Sequence, residues 1–384
     1  MPRPYYKHTP RSVSEGTIWP TNTPVSNHHE DHDVEGSRER VRAMLRGERP
    51  DRIPLYELIR NDAVIEYFSG RKLTVENGPE LIHDVFPKAV DATRPALKTP
   101  NREKVEILPD GRRQVTYRWT IWTEHVKYPS SEAYAEAKRA LDAVADWTEG
   151  RQRSLEKHLE THREIQKKLG EDFFLFRGGP CVGLMGIYGE VGIEAFSYYL
   201  ADCPDVIDLL LERNTVHAVQ WIERLPDDHG IEAVFSGDDI AFRSGPLLSP
   251  KWFKEHYFHH LARIIEAYHR KGITVNFHSD GNLTQIMDGL VEAGIDVLNP
   301  IEVAAGMDIA YLHRRYPDLI FTGGIDVSGL LPFGTPQEVR DATVKAIEDS
   351  EGQIMIGSST ELQYVVPLEN FLAMREAAME YRLR

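Results

Sequence analysis

His278 and Asp280 set an imidazole and a carboxylate two residues apart, in a turn that begins where an apolar run ends. The run is Thr274-Val275-Asn276-Phe277, and the turn continues through Ser279, Gly281 and Asn282. Leu283, Ile286, Met287, Leu290 and Val291 follow at helical spacing, so the segment reads as strand, turn and helix. Residues just past the carboxyl end of such a strand face the crevice where parallel α/β folds bind ligands. The competing reading is local: His278 ties down the turn and Asp280 caps the next helix.

Other apolar runs stop in the same manner. Phe173 to Phe176 leads into Arg177-Gly178-Gly179-Pro180, and Ala233 to Phe235 into Ser236-Gly237-Asp238-Asp239. Ile295 to Leu298 leads into Asn299-Pro300-Ile301-Glu302, Leu319 to Thr322 into Gly323-Gly324-Ile325-Asp326, and Gln353 to Ile356 into Gly357-Ser358-Ser359-Thr360-Glu361. Gathered on one rim, these ends present Arg177, Asp238, Asp239, His278, Asp280, Glu302, Asp326 and Glu361. Carboxylates around an imidazole suit a divalent cation that activates a bound nucleophile. Like charges in a cleft also raise one carboxyl pKa and create a general acid. Acidic residues after strands serve equally to cap helices and bond turn amides.

The elements that must position these groups follow from the spacing. Arg52 to Glu57 and Ala89 to Ala92 read as two early strands, which with the later runs give eight strand candidates separated by helices. That rhythm predicts an α/β fold, a (β/α)8 TIM barrel, over residues 37–384. Lys104 to Leu108 and Arg113 to Trp122 flank Pro109-Asp110-Gly111 and read as an inserted β-hairpin. Residues 131–170 are charged and helical. Residues 1–36, rich in Pro, Ser, Thr, Asn and His, read as a flexible N-terminal arm or one lying on a neighbour. Its tract His28-His29-Glu30-Asp31-His32-Asp33 is a metal-binding composition that is more often simply solvated. No dinucleotide fingerprint or phosphate-cradling loop follows a strand.

Composition narrows the classes. The chain has 384 residues, 41% hydrophobic and 27% charged, as in an ordinary globular protein. A net charge of −15 argues against a nucleic-acid or anionic membrane surface. Two cysteines, Cys181 and Cys203, exclude a disulfide framework and a cysteine-rich zinc site. With no charged-then-apolar leader and no apolar run long enough to span a bilayer, a cytoplasmic location is expected.

Several stretches together resemble the uroporphyrinogen decarboxylase superfamily. They are His278 to Asn282, Gly294-Ile295-Asp296-Val297-Leu298-Asn299-Pro300, Gly323 to Asp326, Leu331-Pro332-Phe333-Gly334-Thr335-Pro336-Gln337-Glu338-Val339 and Pro367-Leu368-Glu369-Asn370. Weaker similarity extends back through Gly179-Pro180 to Arg46-Gly47-Glu48-Arg49-Pro50-Asp51-Arg52-Ile53-Pro54. The resemblance implies a (β/α)8 barrel, often paired as a homodimer, with one of two chemistries. Decarboxylases of the superfamily carry an Arg-Gln-Ala-Gly-Arg run where this chain has Leu55-Tyr56-Glu57-Leu58-Ile59-Arg60, and a Phe-Ser-Asp turn where it has Asp91-Ala92-Thr93-Arg94. Their late histidine is replaced by Ser358 and Ser359, and a substrate with many carboxylates meets few cations.

The corrinoid-dependent methyltransferases of the superfamily use a His-x-Cys-Gly turn and a later cysteine to hold zinc, which activates a thiol. His278 falls on their histidine, Asp280 replaces their first cysteine, and Ser358, Ser359 or Glu361 stands near the second. This resemblance implies a methyltransferase or demethylase, with His278, Asp280 and Glu361 holding a divalent metal, zinc or harder, and Asp239 nearby. A corrinoid carried by a partner protein would supply the methyl chemistry. The alternative is a decarboxylase-type lyase of porphyrin biosynthesis, with Asp239 or Asp326 meeting a protonated ring nitrogen and Arg177 and Arg60 binding a carboxylate. Asp238 and Glu302 join the catalytic candidates, and Tyr188 and Asn299 the substrate-binding ones. A barrel that binds a small ligand without turning it over is the third reading.

Overall fold

The computed structural model describes residues 36–94, 97–140 and 147–382. Apart from Gly36, the expected N-terminal arm and its His/Asp tract lie outside the described residues.

A six-stranded parallel ladder forms the frame. In spatial order it runs β1 (Arg177–Gly178), β2 (Ala233–Gly237), β3 (Thr274–His278), β4 (Val297–Ile301), β5 (Ile320–Ile325) and β6 (Ile354–Ser358). Parallel neighbours need crossovers, and helices such as Pro204–Glu223, Phe258–Arg270 and Pro336–Asp349 supply them. Beyond β6, Leu55 bridges Ile356, Tyr56 bridges Ala92, and Ala92–Thr93 pairs with Phe174–Leu175 just before β1. The fold is thus of the TIM-barrel type, with a regular ladder over six strands and shorter links elsewhere. The first expected strand, Arg52 to Glu57, is present only as those isolated bridges.

Alternation along the strands sorts side chains to two faces. Tyr56, Phe174, Phe176, Ala233, Val297 and Met355 share one inner apolar cluster with Val41 and Met44 of α1 (Ser37–Leu45). Leu175, Val275, Phe277 and Phe321 belong to the larger cluster that the outer helices complete. Helix α1 lies against the amino ends of the strands, where Arg38 N donates to Asp172 O at 2.7 Å and the Arg38 side chain pairs with Glu232 at 2.6 Å. Beside it, the buried Asp91 carboxylate accepts from Arg40 and Arg52, each at 2.7 Å.

The expected hairpin is a three-stranded antiparallel sheet, Lys104–Ile107, Arg113–Thr116 and Ile121–Thr123. A tight turn at Tyr117 to Thr120 splits the second predicted run, with Tyr117 N donating to Thr120 O at 2.8 Å. The charged helical stretch resolves into Ser131–Arg139 and α2 (Glu149–Leu169), opened by caps from the Ser130 and Thr148 side chains. Among the described residues no helix is long and apolar enough to cross a membrane.

Candidate functional site

At the carboxyl end of β3 the alternation that buries Val275 and Phe277 outward turns Asn276 and His278 inward. The neighbouring end of β2 brings Asp239 alongside. His278 Nε2 lies 3.4 Å from Asp239 Oδ1 and 4.0 Å from Asp280 Oδ1. One donor atom from each of Asp239, His278 and Asp280 falls within 4.8 Å of the others. Close approach here needs a bare backbone: a Cβ on Gly237 would sit 2.1 Å from the His278 carbonyl oxygen.

A short relay fixes the imidazole. Thr322 Oγ1 donates to Leu298 O at 3.2 Å, leaving a lone pair that accepts from the Asn299 amide nitrogen. That turns Asn299 Oδ1 toward His278 Nδ1, 2.8 Å away, which must then carry the proton. Nε2 is left facing two carboxylates. Such an arrangement is repulsive until a cation, or a proton on Nε2, stands between them. Asp280 Oδ1 is buried and has no hydrogen-bond partner among the described residues. Burial, together with Asp239 and Glu302, pushes the Asp280 carboxyl up to about 6 against the pull of His278. Burial also opposes ionisation of Asp239, but hydrogen bonding and charge from His278 outweigh it and hold that carboxyl below its ordinary value.

The surrounding residues prop the cluster. Asp280 N donates to Asp239 Oδ1 at 3.1 Å, Thr360 Oγ1 to Asp280 Oδ2 at 3.3 Å, and Gly281 N to Glu302 Oε2 at 2.6 Å. Thr360 does this with φ of 108°, a conformation rarely adopted by a β-branched residue and typical of strain held at functional sites. Tyr188, on α3 (Leu184–Val191), donates its hydroxyl to the Asp239 carbonyl at 2.9 Å.

Four expected site residues stand differently. Glu361, expected as a metal ligand, lies outside the three-residue group and pairs with Arg60 at 2.6 Å and Arg94 at 3.4 Å. Asp238 faces away from the cluster and accepts from Gly183 N at 2.8 Å and from Met185 N and Tyr257 Oη at 3.0 Å. It therefore holds the start of α3, and burial raises its carboxyl. Asp326 caps the short helix Leu330–Phe333, accepting from Ser328 N, Gly329 N and Leu330 N. Arg177 follows Phe174 and Phe176 in alternation, so it points outward, beside His158 and His162 of α2, and burial pushes it down to about 10. Arg94, unassigned from the sequence, instead enters the inner face, its guanidinium 4.7 Å from the centre of the Phe235 ring.

Residues 119–381, more than half of the chain, match the family model described as uroporphyrinogen decarboxylase (URO-D). The chain belongs to the uroporphyrinogen decarboxylase family. Among curated URO-D relatives, the methylcobamide:CoM methyltransferase MtbA of Methanosarcina mazei is 23% identical over 224 residues, 58% of this chain and 63% of its own length. The Methanosarcina acetivorans protein of the same name is 22% identical over 224 residues, with the same coverage of 58% and 63%. A methylated-thiol–coenzyme M methyltransferase of Methanosarcina mazei is 23% identical over 193 residues, 49% of this chain and 48% of its own. The chain thus spans less than two thirds of the relatives it matches. A solved structure, a methyltransferase from Methanosarcina mazei, superposes with a TM-score of 0.62 at 17% identity, covering 90% of this chain and 98% of the other. It supports the barrel-type fold. Within this URO-D frame, Cys181 is half-buried against Asp238 and Cys203 is buried, and neither joins the Asp239, His278, Asp280 group.

Proposed function

We propose that this URO-D protein is a methyltransferase-type enzyme for a small molecule, working in the cytoplasm with a partner that carries the corrinoid. Asp239, His278 and Asp280 are its metal ligands in this reading. The observation that carries it is His278 Nε2 facing two carboxylates, one with a buried oxygen that has no hydrogen-bond partner among the described residues. The names of the relatives add the reaction type.

The donor set fits a divalent cation and is harder than a thiolate site, with one nitrogen and two carboxylate oxygens. A bound cation would supply Lewis-acid activation of an oxygen or sulfur nucleophile. The chain's own residues do the rest. Asn299 and Thr322 orient the imidazole, Thr360 donates to the Asp280 carboxylate and the Asp280 amide to that of Asp239, and Tyr188 steadies the Asp239 backbone. Arg60 and Arg94 neutralise Glu361, so few free cations remain for a polycarboxylate porphyrinogen. No residue of this chain is assigned to the corrinoid, which the partner would carry.

Metal-loaded, tag-free protein mixed with methylcobalamin and a small thiol or alcohol tests the reading through the visible spectrum of the corrinoid. Demethylation that disappears in His278→Ala and Asp239→Asn agrees with it. Carbon dioxide release from a porphyrinogen, with methylcobalamin untouched, would replace it with the lyase reading. A paired assembly belongs to the same proposal, and sedimentation of the full chain at twice its mass agrees with it.

A further inference from the structure

Two outer helices face each other across a space that their side chains leave open. Arg151, Ser154 and His158 recur at helical spacing along one face of α2, and His217 and Trp221, four apart, along one face of the helix Pro204–Glu223. With Trp147, just ahead of α2, and the segment that follows β1, they line a cavity of about 590 Å³. That is room for a small molecule. None of Asp239, His278 and Asp280 borders it. Helices that pack tightly turn apolar stripes toward each other. Here the two stripes are cationic, polar and aromatic instead.

The lining restricts what the cavity can take. Arg151 donates to His217 Nε2 at 2.8 Å, which leaves that imidazole neutral with its proton on Nδ1. Burial holds His217 below its ordinary value, and the charges of Arg151 and Arg213 push the same way. Burial lowers His158 too, with Arg177 adding to it against the pull of the Gly178 carbonyl. Both imidazoles are therefore uncharged near neutral pH and stand in the positive field of guanidiniums. Arg224 adds another, 4.5 Å from the centre of the Trp147 ring. Among the described residues no carboxylate lines the cavity, although the chain carries 60 acidic and 45 basic side chains. A positive field there favours an anion. The two indoles, with Trp221 meeting His158 edge-on at 5.1 Å, favour a flat ring.

We propose that this cavity is a second binding site, for a small aromatic carboxylate, whose ring lies against Trp147 and Trp221 and whose anionic group meets Arg151. The site is separate from the mouth and stands whether or not the mouth holds a cation.

Calorimetric titration of the full chain with naphthoate, and with naphthylmethanol as the neutral comparison, tests the site. Naphthoate should bind at one site, with the alcohol at least about tenfold weaker. Ser154 is exposed at the edge of the cavity, so Ser154→Trp fills the space without entering the core. It should weaken naphthoate at least about tenfold and melt with the parent protein. Arg151→Gln should bring the acid and the alcohol to within about threefold of each other. Ser154→Trp alone carries the test where Arg151→Gln lowers the melting temperature. His278→Ala, at the mouth, should bind naphthoate as the parent does. Absent binding, equal affinity for the two probes in the parent, full affinity in Ser154→Trp, or preference for the acid kept in a stably folded Arg151→Gln would overturn the site. Loss of binding in His278→Ala would also overturn it, by moving the ligand to the mouth.

Discussion

The tautomer of His278 depends on side chains that a two-residue motif does not display. His278 and Asp280 were legible in the sequence because an apolar strand ends there in a polar turn. Asp239 was legible as half of an acidic pair, but which of Asp238 and Asp239 faces inward follows only from the phase of β2. Phase would also have excluded Arg177, since Phe174 and Phe176 occupy the inward positions of that segment. Glu361 looked like a ligand because its neutralising partners, Arg60 and Arg94, lie 301 and 267 positions away in the chain. At this scale the Asn299 relay makes a sharp prediction. Asn299→Ala should leave the fold intact but weaken cation binding about 10- to 100-fold, measured by competition with a chromophoric chelator. Unchanged affinity would mean the relay does not orient the ring.

Between elements, Glu57 joins the first inner-strand segment to the turn that carries Thr360 and Glu361. Its carboxylate is buried and accepts from Leu58 N at 2.9 Å, Ser358 N at 2.8 Å, Ser358 Oγ at 2.9 Å and Leu362 N at 3.1 Å. Nothing in Leu55-Tyr56-Glu57 reveals these bonds, because every partner except Leu58 comes from the last strand's turn. Burial pushes the Glu57 carboxyl up to about 7 despite those donors. A raised carboxyl binds its proton more tightly when folded, so its contribution to stability declines as pH rises from its ordinary value of 4.5 to about 7. Glu57→Gln should flatten that decline in urea melts between those limits. It should also cost about 1–3 kcal/mol, because an amide hydrogen then faces a donating backbone N–H. A variant as stable as the parent, with the same pH slope, would rule out this role.

For the whole molecule, the late ladder was legible in the sequence and the early half much less so. Strands β2 to β6 recur with apolar runs and helices between them, a rhythm the eye can follow. The first two strands reduce to bridges and a two-residue pairing, too short for any pattern to announce. What secures that half is ionic: Asp91 binds Arg40 of α1 and Arg52 of the following loop while also accepting from Leu55 N at 2.9 Å. Burial alone would raise the Asp91 carboxyl, yet the two guanidiniums outweigh it and the net direction is down. Its stabilisation is therefore complete above the ordinary carboxyl value of 3.8 and is lost as pH falls through the lowered one. Asp91→Asn leaves two guanidiniums in a buried site and should cost about 3–5 kcal/mol near neutral pH, read as a lower denaturant midpoint. A loss under about 1 kcal/mol would show that α1 and the early strands hold without it.

Cobalt substitution reads the mouth most directly. Tag-free protein stripped by chelator and titrated with Co²⁺ should take up one equivalent. Its visible bands should be those of nitrogen and oxygen ligands, with no thiolate charge-transfer band, and they should vanish in His278→Ala and in Asp239→Asn. Uptake that persists in both variants, a thiolate band, or no stoichiometric binding at all would contradict a cation held by Asp239, His278 and Asp280.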